Sequence, residues 1–160
     1  MPRKIRNGTV VYNLDPLIVK DHYEIDYRHS YAQDSPFFAG LAKGRLLGSF
    51  CSKCRYTYAT PRSHCCQCGR ATEWRELPRD GRIHTYTVCH YGGEAFLDET
   101  PFTLVLVEFK GADTLFLSRL VGAKAEEVRI GMEVTARFAP TPSFRVTDVW
   151  FEPKLKKSKT

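Results

Sequence analysis

Two cysteine pairs, Cys51-Ser-Lys-Cys54 and Cys65-Cys-Gln-Cys68, stand ten residues apart, and that spacing constrains the chain more than any other feature. Each pair can bend into a knuckle that presents two sulfurs to one tetrahedral ion, and four thiolates make the closed structural site that zinc favours. Gly69, just after the second pair, suits the tight turn of a knuckle. Arg55 holds the matching place after the first pair, where a side chain implies a small strain. Cys51, Cys54, Cys65 and Cys68 are therefore the expected zinc ligands, and iron in a rubredoxin-like site is the competing metal. Cys66 is a surplus thiol that could replace Cys65 only by closing a CxC turn, which fits tetrahedral binding less well, and His64 is the other substitute ligand. A sealed four-sulfur site offers no open position to water or substrate, so its expected role is structural.

The remaining cysteine, Cys89, stands alone, so the six cysteines do not read as a disulfide framework. The 160 residues suffice for one domain or two small ones, and 42% hydrophobic content suits a globular chain with a modest core. No apolar run reaches the length of a membrane span, and Met1-Pro-Arg-Lys-Ile-Arg does not lead into a signal-peptide core. The expected location is cytoplasmic, with no membrane partner.

The net charge of +6 sits at the ends. Arg3, Lys4 and Arg6 begin the chain, and Lys154, Lys156, Lys157 and Lys159 close it, which reads as solvated tails around a nearly neutral body. Within the body, residues 43–82 carry nine basic and three acidic side chains, and residues 83–153 carry six and ten.

Along the chain, Tyr23, Ile25, Tyr27, His29 and Tyr31 alternate with polar residues, as an extended segment lying on an apolar surface would. A short helix comes next, with Ser35 as N-cap, Pro36 at the first helical position and Gly44 at the stop. Its apolar face is Phe37, Phe38 and Leu41, which either packs on the same chain or docks onto a partner. After Gly81 come five strand-like segments, Arg82 to Tyr91, Phe102 to Phe109, Leu115 to Val121, Glu133 to Phe138 and Arg145 to Phe151. Five strands with turn signals between them suggest a small closed barrel, with the OB fold the commonest answer and an SH3-like barrel the alternative. Trp74 is expected to cover the ribbon and its junction with this barrel. The expected class is mainly β. The divisions are an extended segment and short helix over 1–46, a zinc ribbon over 47–80, a five-stranded OB barrel over 81–153 and a basic tail over 154–160.

No catalytic residues are identified. Cys89 and His90 are adjacent, but neighbours on a strand point to opposite faces, so a buried Cys89 and an exposed His90 are expected. His22, His29, His64 and His84 have no carboxylate at useful spacing, and no phosphate loop or nucleophile elbow is present. Nucleic acid is the rival partner for a zinc ribbon joined to an OB barrel. A strand-binding OB fold combines a basic groove with exposed stacking aromatics, whereas the barrel segment here is net acidic.

The chain resembles the zinc-ribbon, OB-fold proteins associated with acyl-CoA metabolism, long classed as a domain of unknown function. The resemblance is carried in order by Ser35 to Gly48 (Ser-Pro-Phe-Phe-Ala-Gly-Leu-Ala-Lys-Gly-Arg-Leu-Leu-Gly), the two cysteine pairs, Thr60-Pro-Arg62, Glu73-Trp74, Gly81 to Val88, Thr100-Pro-Phe102, Ile130-Gly-Met132 and Val149 to Pro153. Cys66, where the family often has proline, and Arg55 depart from it without removing a ligand. The resemblance implies a helical element, then a ribbon, then a barrel. It further implies a non-catalytic accessory subunit that accompanies a thiolase-fold catalytic subunit in a hetero-oligomer, completing or covering a CoA or acyl-CoA site. Relatives pair with hydratases or aldolases acting on acyl-CoA, and some serve thiolases of aromatic-compound degradation. Arg45 and Arg62 are the candidates for the CoA phosphates, and Phe37, Phe38 and Leu41 for the partner surface.

Overall fold

The structure, a computed structural model, describes residues 4–5, 8–11 and 18–154. The basic residues Arg3, Arg6, Lys156, Lys157 and Lys159 lie outside them. Two compact units divide the chain, one over residues 1–30 and one over 31–160. The first contains a three-stranded antiparallel meander of β1 (Lys4–Ile5), β2 (Gly8–Val11) and β3 (Ile18–Asp21), which the sequence pattern did not announce. Residues 22–30 continue without regular hydrogen-bonded structure. Tyr23, Ile25 and Tyr27 are exposed rather than laid on an apolar surface, which corrects that expectation.

The second unit begins with a 3-10 turn, Ala32–Asp34, leading into α1 (Ser35–Leu41). Asp34, not Ser35, is the N-cap residue; Ser35 is already helical and its hydroxyl donates to the Ala32 carbonyl at 2.7 Å. Proline at the start and Gly44 at φ +66° just beyond the end behave as their chemistry demands. A helix of seven residues gains too few internal hydrogen bonds to persist alone. It is held by its buried side: Phe37 is 5% exposed and Leu41 1%, and both belong to the main core.

That core fills a closed barrel of β7 (Asp80–Cys89), β8 (Phe102–Glu108), β9 (Phe116–Leu120), β10 (Glu133–Phe138) and β11 (Val149–Pro153). Around the barrel the strands run β7, β8, β9, β11, β10 and back to β7. All neighbours are antiparallel except β9 and β11. This order, with its one parallel pair, is the connectivity of the OB fold and decides the alternative that periodicity left open. Val105, Val107, Phe116, Val134 and Phe151 point inward from four of the strands. Strand β8 is not equally buried on both sides: Thr103, Val105 and Val107 are buried, and the alternate residues Leu104 and Leu106 are half-buried on the outside. The last strand starts at Val149 because residues 146–148 form a 3-10 turn.

Between helix and barrel along the chain comes a second three-stranded sheet, with β4 (Leu47–Cys51) flanked by β5 (Tyr56–Tyr58) and β6 (Glu73–Glu76). The turn Gly111 to Thr114 grips β5: Thr57 N–H donates to Asp113 Oδ2 at 2.7 Å and Ala59 N–H to Thr114 Oγ1 at 2.8 Å. Gly48 is required where β4 passes β5, since a Cβ there would stand 2.4 Å from the Tyr58 carbonyl oxygen. Lys154, expected in a solvated tail, instead places Nζ 2.7 Å from Asp80 Oδ2, tying the end of β11 to the start of β7. No helix among the described residues is long and apolar enough to cross a membrane.

Candidate metal centre

The site grows out of the β4–β5 hairpin. Cys51 is the last residue of β4 and pairs with Tyr56, so the chain must reverse within residues 52–55. Arg55 makes this possible by adopting φ +55°, a left-handed conformation that accounts for the strain expected of a side chain at its place after Cys54. The Cys54 N–H points at Cys51 Sγ from 3.4 Å. The second knuckle repeats the device with Gly69 at φ +70°, whose N–H donates to the Cys65 carbonyl at 2.9 Å. Cys65 N–H donates to the Arg70 carbonyl and Thr72 N–H to the Ser63 carbonyl. The buried Ser49 hydroxyl accepts the Arg62 N–H at 2.9 Å and fastens this loop to β4.

These two turns bring Cys51, Cys54, Cys65 and Cys68 together, with all four sulfurs within 4.8 Å of one another and Cys51 Sγ 3.6 Å from Cys68 Sγ. A tetrahedral ion with zinc–sulfur bonds of about 2.3 Å needs sulfurs about 3.8 Å apart. The four cysteines can therefore hold a metal ion, and the donor set fits the expected one. Cys51 and Cys65 are buried, while Cys54 and Cys68 are half-buried. Hydrogen bonding to Cys68 pushes Cys54 up to about 12, with burial adding to it. The hydroxyl of Tyr58 lowers Cys65 to about 6, assisted by the N–H groups of Gln67 and Cys68 and opposed by burial.

Tyr58 is the residue that sequence reasoning missed. It is 2% exposed on β5, with its hydroxyl 3.3 Å from Cys65 Sγ and 3.0 Å from Cys66 Sγ. Only the closed hairpin reveals this, because Tyr58 belongs to neither cysteine motif. Cys66 itself is exposed and outside the four-sulfur cluster. His64 is exposed and its Nδ1 lies 3.2 Å from Ser63 Oγ.

The other expected site residues separate into two groups. Phe37 and Leu41 are spent on the chain's own core, and Phe38 stacks on Tyr31 with ring centroids 3.7 Å apart. Of the three residues expected at a partner surface, Phe37 and Leu41 thus pack inside the chain, and Phe38 is half-buried against the same core. Arg45 and Arg62 are both exposed, and Arg45 Nε pairs with Glu76 Oε2 at 2.8 Å. Several cations of the basic stretch are also committed locally. Arg75 lies over the Phe50 ring at 3.6 Å, and Arg79 donates to the Gly44 carbonyl. Among the described residues, Lys53, Arg55, Arg62 and Arg70 on the ribbon are exposed and have no side-chain ion partner. Trp74 is 38% exposed on β6 and borders a shallow concavity with Gln33, Ser63, His64 and Thr72, rather than covering a junction.

Cys89 is half-buried and His90 exposed. His84 does have a carboxylate partner, which corrects the reading from spacing alone: a bulge between Ile83 and Thr85 turns it toward Glu108 on the neighbouring strand, Nδ1 to Oε2 3.2 Å. The pair is exposed, and no nucleophile contacts it among the described residues.

The family model for the C-terminal OB-fold domain of ChsH2 matches residues 74–139. A DUF35 domain-containing scaffold protein of Methanocaldococcus jannaschii is 33% identical over 95 residues, 58% of this chain and 67% of that protein. Its counterpart in Methanothermobacter thermautotrophicus is 30% identical over 95 residues, 58% of this chain and 71% of that protein. Among solved structures, an Ltp2–ChsH2(DUF35) aldolase superposes with a TM-score of 0.61 at 24% identity, over 75% of this chain and 93% of that one. A DUF35-family protein of unknown function from Sulfolobus solfataricus gives 0.59 at 23% identity, over 80% and 90%. At these identities the two structures speak for the shared fold, and the sequence relatives speak for descent. With its helix, cysteine-bearing sheet and OB barrel in that order, the chain belongs to the DUF35 family.

Proposed function

We propose that this chain is a non-catalytic, zinc-bearing accessory subunit of an acyl-CoA enzyme of thiolase type, where it helps to form or cover the CoA site and holds the catalytic subunit in its active form. The observation that carries this reading is a closed four-cysteine site in a chain whose relatives are named scaffold proteins. Four thiolates saturate a tetrahedral zinc ion, so the ion supplies rigidity to the knuckles and no coordination site for a substrate. The chain's own contribution is a surface. The exposed cations Lys53, Arg55, Arg62 and Arg70 give the ribbon a positive surface suited to the phosphates of CoA, with Arg62 the foremost candidate. Arg45 joins that role by exchanging its exposed Glu76 partner, since such surface pairs contribute little. Nucleophile and base belong to the partner.

A second reading, with an aldolase rather than a thiolase as the catalytic partner, is favoured by the Ltp2–ChsH2(DUF35) aldolase among the similar structures. The two are separated by assaying the chain with each class of partner. With a thiolase-type partner, CoA-dependent cleavage of a 3-oxoacyl-CoA should appear only in the mixture. Activity restored to an aldolase instead would favour the second reading, and cleavage by the isolated chain would overturn both.

A further inference from the structure

The hydroxyl of Tyr58 has three neighbours. It accepts the Cys66 backbone N–H at 3.2 Å, and it lies 3.3 Å from Cys65 Sγ and 3.0 Å from Cys66 Sγ. A phenol has one proton to donate and two lone pairs to accept with. The N–H fills one lone pair. Which sulfur receives the proton depends on the metal: a metal-bound Cys65 is a thiolate without a proton, so it can only accept. The remaining lone pair then takes the S–H of Cys66. In this one arrangement every polar atom around the buried ring is satisfied, as burial requires.

We propose that Tyr58 is a positioning residue for the metal centre, its hydroxyl donating to the metal-bound Cys65 thiolate while the Cys66 thiol donates to Tyr58. The assignment deepens the four-cysteine metal reading and rests on it. It gives the surplus thiol a place: Cys66 is no ligand but the outer end of a relay from S–H to O–H to thiolate. It also explains a buried hydroxyl on β5 beside a site made by other segments. A hydrogen bond to a coordinated thiolate draws charge from the sulfur, fixes its lone-pair direction and lowers its reactivity toward electrophiles. Cys65 is the ligand so protected, and Tyr58 reaches it because β5 leaves the first knuckle directly toward the second.

The test uses the full chain loaded with cobalt(II), whose thiolate-to-metal charge-transfer band reports the electron density on sulfur. Tyr58→Phe keeps the ring and removes only the hydroxyl. Its charge-transfer band should move to lower energy, its visible four-sulfur tetrahedral bands should stay, and its metal affinity should fall about tenfold. Cys66→Ala should move the band the same way by less, and Cys66→Ser, which keeps a donor, should match the unaltered chain. Because Cys66→Ala removes only an exposed thiol, it decides the question if Tyr58→Phe takes up metal poorly: an unmoved band then overturns the relay. A Tyr58→Phe spectrum and affinity equal to those of the unaltered chain overturn the assignment while the metal reading stands. An unaltered chain that gives no four-sulfur cobalt spectrum overturns both.

Discussion

Asp148 holds Ser143 at two points, accepting its backbone N–H at Oδ2 from 2.9 Å and its hydroxyl at Oδ1. The Arg145 N–H reaches the same Oδ2 at 3.3 Å, so one carboxylate organises the connection from β10 to β11. Burial pushes this carboxyl up, but the Ser143 hydroxyl and the N–H groups of Arg145, Ser143 and Phe144 together outweigh it and hold it below the ordinary range. A carboxyl depressed by folding contributes stability that is complete well above its unfolded value of about 3.9 and is lost as pH falls through its folded value. Asp148→Asn should therefore cost about 1–3 kcal/mol at neutral pH. Denaturant melts across pH should show the gap between the two proteins closing in acid. A gap that is constant with pH would remove the carboxylate from this role.

Gly48 is the tightest point of the cysteine-bearing sheet. An added Cβ meets the Tyr58 carbonyl at 2.4 Å and two Leu77 methyl carbons at 3.2 Å. The carbonyl belongs to a paired strand and cannot yield as a side chain would. Gly48→Ala should cost at least the 1–3 kcal/mol typical of overpacking and should speed metal loss to a chelator, because β5 leads out of the first knuckle. Thermal melts and chelator kinetics check both.

Phe37 should matter to the chain before it matters to any partner. Its ring lies 5.2 Å from that of Phe38 and 6.2 Å from that of Phe116 inside the barrel core. Phe37→Ala should destabilise the isolated chain by about 3–5 kcal/mol in denaturant unfolding. An unchanged midpoint would mean that the ring contributes nothing to the chain's own core and would favour the docking role instead.

The cysteines divide sharply in the same way. Cys51→Ser combined with Cys68→Ser should abolish metal binding, measured as metal per chain, while Cys66→Ser and Cys89→Ser should leave the content at one ion. Full retention in the double variant would sink the assignment of ligands.

How much could be read from residue order depends on where the information resides. The cysteine cluster and the strained place of Arg55 were legible because two short motifs contain nearly all the geometry. The five barrel segments were legible because alternation and turn residues are local, and Glu133 to Phe138 matched without change. Tyr58 was not, because its contact with Cys65 and Cys66 exists only once the hairpin and the second knuckle have closed. His84 and Glu108 met across a strand pair whose bulge leaves no mark in spacing. Phe37 was recognisable as apolar, but its destination beside Phe116 is set by the barrel core rather than by the helix. Lys154 looked like tail because pairing with Asp80 depends on barrel closure.

The central claim is that this chain carries a structural metal and assists a catalytic partner. Native mass spectrometry of the tagged full chain, isolated from its own cells and supplied with a 3-oxoacyl-CoA, tests that claim most directly. The account predicts a hetero-oligomer with one zinc ion per copy of this chain, in which the acyl group is found only on a thiolase-type subunit. A chain that runs alone without metal, or that itself becomes acylated, would contradict it.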